Sequence, residues 1–269
     1  MAAMGQGTEM AAAAPPARAW LTASQGVIVG VHLGALALWE LLVWLMEVPR
    51  FILPAPSEIL ATLGGDHYRW LFNSWVTGVE IFGGYAVAVV AGVATALIFT
   101  WSRIALVTFF PLLVTLNMVP KVALGPLIIV WFSYGITTNI LIAFSLAYFP
   151  ILLTTVRGLR EVEPDLLDLV RSIRGSAWQT FIYIQLPGAL PYIFSGMKVG
   201  AVLAVAGAIV GEFIASDRGL GYLMIQVQAS LDTPAMFMAV TLITLLGVLL
   251  YCLVLVLEYF LVPQDARVS

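Results

Sequence analysis

The chain has 269 residues, of which 61% are hydrophobic and only 10% charged, and its mean hydropathy is +1.01. A soluble chain carries about 25% charge, so this composition marks an integral membrane protein with several spans. A net charge of −3, two histidines and one cysteine exclude a nucleic-acid footprint and an unaided zinc or iron–sulfur site.

Residues 1–25 are rich in Ala, Gly and Pro, carry Arg18, and read as a disordered cytoplasmic tail. No cleavage site of a signal peptide is evident, and the apolar run that follows is too long for one. Residues 26–46 form the first predicted transmembrane helix, with Trp39 and Trp44 toward its far end as interface aromatics. Glu40 within it reads as a packing or interfacial acid. Residues 47–72 are an exterior segment. Phe51 to Glu58 is fixed by two prolines, Ser57 is the expected helix cap, and His67 and Arg69 are expected to be solvated.

Residues 73–260 hold five more predicted spans. The second, about Thr77 to Thr100, carries Glu80 near its outer end and a small face of Gly78, Gly83, Gly84 and Gly92. Ile104 to Tyr134 is apolar but contains Pro111, Pro120 and Pro126. As one straight helix it would measure about 45 Å against a hydrocarbon core of about 30 Å, so it must bend or break. Broken backbone at membrane depth persists only inside protein or beside a water-filled cavity. Asn117, Met118, Pro120 and Lys121 are therefore the candidate pathway residues, together with the intramembrane acids Glu80 and Glu212. Lys121 either attracts an anionic solute, pairs with Glu80 or Glu212, or lies at the inner surface. Thr138 to Val156 is the fourth span, and the fifth, from about Tyr192 to Ile214, is rich in Gly, Ala and Ser. Met236 to Phe260 is the last, with Glu258 at its inner end. Cys252 within it reads as a small hydrophobe. Residues 261–269 are a cytoplasmic tail.

Residues 157–191 interrupt the apolar pattern with Arg157, Arg160, Arg171 and Arg174 among Glu161, Glu163, Asp165 and Asp168. Pro164 with Asp165 reads as a helix start, and Gly175-Ser176 as its end. Six spans with the amino end inside place Arg18, Arg103, Arg157, Arg160, Arg171, Arg174 and Arg267 in the cytoplasm. Only Arg50, Arg69 and Arg218 fall outside, which satisfies the positive-inside rule. A short helix on that side, held between two spans, is a docking device.

Asp168-Leu169-Val170, then Arg174-Gly175, Phe181, Ile184, Leu186-Pro187 and Pro191, resembles the EAA loop of ATP-binding-cassette importer permeases. Asp168 stands for the Glu of that pattern, and Arg174 stands where the family has glycine. Leu53-Pro54-Ala55-Pro56-Ser57-Glu58, Pro120 to Leu127, and Gly211-Glu212-Phe213 with Gly219-Leu220-Gly221 resemble, in order, the nitrate/sulfonate/taurine-type group of those permeases. The resemblance covers nearly everything after Phe51. It implies an all-α membrane protein of about six transmembrane helices, with the type I importer (MetI-like) fold and a cytoplasmic coupling helix in the bacterial inner membrane. It further implies a second permease copy (a homodimer), two separate ABC ATPase subunits that bind the ATP and magnesium, and a solute-binding protein. Asp165, Asp168, Arg171, Ser172, Arg174, Gly175, Trp178, Leu186 and Pro187 would couple to the ATPase. This chain itself would be non-catalytic and bind no cofactor: neither Lys121 nor Lys198 follows a phosphate-binding loop. The solute is expected to be a small anion such as a sulfonate, nitrate or aromatic carboxylate, with a pyrimidine precursor or riboflavin-like vitamin as the alternative. A secondary transporter would show internal repeats, and a membrane enzyme a cluster of His, Asp or Glu at a span end; neither pattern is evident.

Overall fold

The computed structural model describes residues 17–121, 123–161 and 164–262. Helix α1 is Ala17–Leu45, α2 is Pro56–Ala61 and α3 is Trp70–Trp101. Helix α4 is Arg103–Met118, α5 is Gly125–Phe132 and α6 is Ile136–Arg160. The charged loop contains α7, Pro164–Ser172, and α8, Ala177–Thr180; a π-helical turn at Phe181–Gln185 then leads into α9, Leu186–Ala215. Helices α10, Leu220–Ala229, and α11, Thr233–Leu261, complete the described chain.

Five of these helical stretches are long and apolar enough to cross a membrane, and α4 is a shorter apolar helix. The expected break in the third span is real. Helix α4 stops at Met118, and helix resumes only at Gly125, where α5 runs for eight residues. Pro120 lacks the N–H that a continuing helix would need, which is why the chain leaves helical geometry here.

The core is α6 laid against α3 on one side and α9 on the other. Its seam is built from small residues: Ala88, Ala96, Ala143, Ala147, Ala204 and Ala208 are wholly buried. Ala143 is pinched. A Cβ at Gly84 of α3 would lie 2.5 Å from its Cβ, and a Cβ at Gly207 of α9 would lie 2.6 Å from its Cα. Without water in the bilayer, backbones that approach this closely gain van der Waals contact that larger side chains would forbid. Helices α1 and α11 flank this core and expose leucine and valine along most of their length, as lipid-facing helices do.

Several boundaries differ from those expected. Helix α1 begins at Ala17, inside the stretch read as tail; residues 1–16 and 263–269 lie outside the described residues. Ser57 is not the cap of α2. Pro56 occupies the first helical turn, Ala55 is the cap residue, and Glu58 accepts the Ala55 N–H at 3.1 Å. Ser57 instead donates its N–H and hydroxyl to Glu40 of α1, at 3.0 and 2.6 Å. Glu40 is thus a packing acid that ties α1 to α2. Helix α9 starts at Leu186, earlier than the expected fifth span. The π-turn before it, wider than an α-turn, lies where Pro187 supplies no N–H to the ladder.

Candidate functional site

Three polar constructions stand out from an otherwise apolar molecule. The first is the charged loop between α6 and α9. Helix α7 ends through Ile173 N–H to Leu169 and Gly175 N–H to the Val170 carbonyl at 2.8 Å. That closure puts Arg174 at φ 57°, the left-handed geometry that favours glycine. The resemblance expected glycine at this position, and the backbone explains why. At Gly175 a Cβ would lie 2.3 Å from a Val170 methyl, so the glycine is needed one residue later for space. Ser176 then caps α8 through a reciprocal box. Its hydroxyl accepts the Gln179 N–H at 3.2 Å, and the Gln179 side chain accepts the Ser176 N–H at 2.8 Å.

The surface this creates is apolar and open. Leu169, Ile173, Trp178 and Tyr183 are each more than half exposed. A cavity of about 320 Å³ lies among Val170, Ile173, Arg174, Gln179 and Tyr183. Asp168, Ser172, Arg174 and Trp178 are exposed on this loop. Asp165 and Arg171 fall on α7, with their side chains outside the described residues. Leu186 and Pro187 sit behind it, where Leu186 packs on the core. The loop is anchored by aromatic contacts: Trp101 at the end of α3 meets Phe181 at 5.4 Å between centroids, and Phe181 meets Trp178 at 5.7 Å. At the exit from α6, Arg157 bridges Glu161 at 2.9 Å, and this hydrogen bond holds the Glu161 carboxyl below the usual carboxylate range.

The second construction is the break between α4 and α5. Lys121 Nζ donates to the Asn117 side-chain oxygen at 2.9 Å and to the Asn117 carbonyl at 3.2 Å. Both residues line a cavity of about 560 Å³ with Val119 and residues of α5 and α6. Met118 and Pro120 flank it and point outward, Met118 being 77% exposed.

The third construction is at the opposite end of α3 from Trp101. Glu80 and Glu212 are buried and their carboxyl groups adjoin. Asn139 donates to Glu80 at 2.8 Å, and Thr77 donates to Glu212 at 2.5 Å. Glu212 also accepts the Gly221 N–H, Thr77 Oγ1 accepts Leu220 N–H at 2.8 Å, and Asn73 accepts Gly219 N–H at 3.0 Å. These groups satisfy the free N–H groups that open α10 and place a carboxyl at its positive end. Gly219, at φ 103°, makes the turn, and a Cβ there would collide with the Glu212 carboxyl.

Lys121 and Asn117 therefore act together, while Glu80 and Glu212 form a separate cluster that neither pairs with Lys121 nor lines its cavity. Asn73, Thr77 and Asn139 complete that cluster and were not singled out from sequence. Their signal was their rarity as polar residues within apolar helices. Lys198 pairs with Glu258 at 2.7 Å and joins α9 to α11.

Residues 81–263 match the family described as binding-protein-dependent transport system inner membrane component, and the chain belongs to it. A "Probable ABC transporter permease protein" of Haemophilus influenzae is 32% identical over 84% of this chain and 91% of its own. The riboflavin transport system permease protein of Chloroflexus aurantiacus is 34% identical, over 86% of this chain and 87% of its own. An Escherichia coli permease named for aliphatic sulfonate transport is 30% identical, over 87% and 89%. The chain is an inner-membrane permease of the ABC importer type, multi-pass and helical.

Proposed function

We propose that two copies of this chain form the membrane pathway of an ATP-driven importer. Two separate ATPase subunits bind the ATP and magnesium, and a solute-binding protein delivers substrate on the outer side. The observation that carries this reading is the α7–α8 segment. It is an exposed apolar surface among arginines, tethered by two helices of the core and finished by tight turns. Exposed apolar patches of this kind mark interaction sites, and the arginines and acids around this one, equal in number, offer a partner charge pairing of both signs. ATP binding would draw the ATPases together and push α7. The Trp178–Phe181–Trp101 contacts would pass that displacement to α3, and the π-turn would pass it to α9. The core would then tilt between inward-open and outward-open states. Lys121, the cation beside the broken span, presents positive charge to a solute that carries an anionic or other acceptor group.

The test is co-purification of an ABC ATPase with this chain from its native membranes. Replacing residues 168–178 with a Gly-Ser linker should abolish ATPase association while the permease still folds and inserts. A chain that transports without ATP in response to an ion gradient, with or without that segment, would end the proposal.

A further inference from the structure

We propose that the cavity between α4, α5 and α6 is a binding site for a planar aromatic or heteroaromatic solute bearing a hydrogen-bond acceptor on one edge. This inference deepens the importer reading and rests on it. The cavity measures about 560 Å³, within the range of small-molecule sites and far larger than a nitrate or a two-carbon sulfonate needs. Its wall is aromatic: Trp131 and Phe132 come from α5, and Phe144, Tyr148 and Phe149 from α6. Flat rings gain from stacked and edge-on contact with such a wall, whereas a small oxyanion would cover little of it.

The polar groups are few and of one kind. Lys121 Nζ carries three protons, and two are used on Asn117. The third proton and the Asn117 amide N–H groups have no acceptor among the described residues. The hydroxyl protons nearby are already spent, Tyr148 on Thr95 at 3.1 Å and Ser145 on the Ile142 carbonyl at 2.8 Å. No carboxyl lines the cavity among the described residues. The site thus offers donors from one edge and asks for an acceptor: a carbonyl, a ring nitrogen or a carboxylate on the ring. The Lys121 charge disfavours a cation there. A free sulfonate or nitrate, which needs donors on several sides, would meet them on only one. The acyl chain of a lipid fits the wall but leaves the Lys121 donor unmatched.

Equilibrium binding of radiolabelled riboflavin, benzoate, taurine and nitrate to the full chain, with its ATPase in lipid nanodiscs, tests this. Riboflavin or benzoate should bind saturably. Lys121→Met should weaken that binding about tenfold, the usual effect of losing a charge-assisted hydrogen bond. Lys121→Arg should retain most of it, and Phe144→Leu, which keeps the wall apolar, should weaken it severalfold. Saturable binding of taurine or nitrate that depends on Lys121 would overturn the assignment. So would aromatic binding unchanged in both Lys121→Met and Phe144→Leu, or no aromatic binding at all. Brominated acyl chains that quench Trp131 and resist displacement by the aromatic probes would show lipid in the cavity instead. ATPase co-purification is scored on the same samples. If it holds while aromatic binding fails, only the cavity assignment falls. If the ATPase is absent, the importer reading falls with it.

Discussion

Ala143 has neighbours on both sides that only glycine permits, and the consequence is measurable. Gly207→Ala or Gly84→Ala should push the core helices apart and cost about 1–3 kcal/mol, the usual effect of overpacking. Thermal melting of the purified protein should fall accordingly; an unchanged midpoint would mean that α6 can slide without loss. Arg174 presents the opposite case. Its left-handed backbone costs about 1–2 kcal/mol relative to glycine. Arg174→Gly should therefore protect α7 against hydrogen exchange while weakening ATP-coupled transport, if the guanidinium meets an acid on the ATPase. Unchanged transport would leave the arginine without a role at the interface. Glu161 supplies a pH-dependent contact. Its folded pKa is depressed by Arg157, so the stabilisation exists above the unfolded value of about 4.3. It is lost as pH falls through the folded value. Protection factors at the end of α6 should drop on acidification below about pH 4, and Glu161→Gln should lack that pH step.

At the scale of elements, α10 depends on side chains from α3 and α9 for its start. Glu212→Leu leaves the Gly221 N–H without its acceptor and removes the partner of Thr77. It should unwind the first turn of α10 while sparing the α3–α6–α9 seam. Exchange of the amides 219–223 would rise first; a protected α10 in that variant would show that Asn73 and Thr77 suffice. The break between α4 and α5 was legible beforehand because the length of the apolar run and its prolines contradict a straight span. Helix α1's dependence on Glu40 was legible only as a packing acid. The identity of its partner, Ser57, requires that residues 17 apart in sequence meet across a turn.

Over the whole molecule, the arginine bias assigns the side of the membrane. Gln179→Cys in a Cys252→Ser background should react with a membrane-impermeant maleimide only from the cytoplasmic face, and Asp217→Cys only from the outer face. Reversed labelling would invert the topology. What the sequence by itself determined is the class and its layout. Hydropathy sets the spans because the bilayer core has a fixed thickness, arginine bias orients them, and the spaced pattern from Asp168 to Pro191 marks the family's conserved loop, proposed here as the docking segment. The pattern placed Arg174 where the family has glycine, but its left-handed backbone was shown only by the structure, where the end of α7 turns through αL. What only the tertiary structure decided is which polar groups meet. Lys121 had three possible fates by sequence; its bond to Asn117 is local, four residues back, and the packing of α5 and α6 gave it an aromatic wall. Glu80 and Glu212, 132 residues apart, were brought together because α3 and α9 both pack on α6. Their cluster caps α10 rather than facing Lys121. Periodicity fixes which face of a helix is apolar. The angle and depth at which helices dock are fixed by contacts between distant small residues, and those contacts choose the partners of the few buried polar groups.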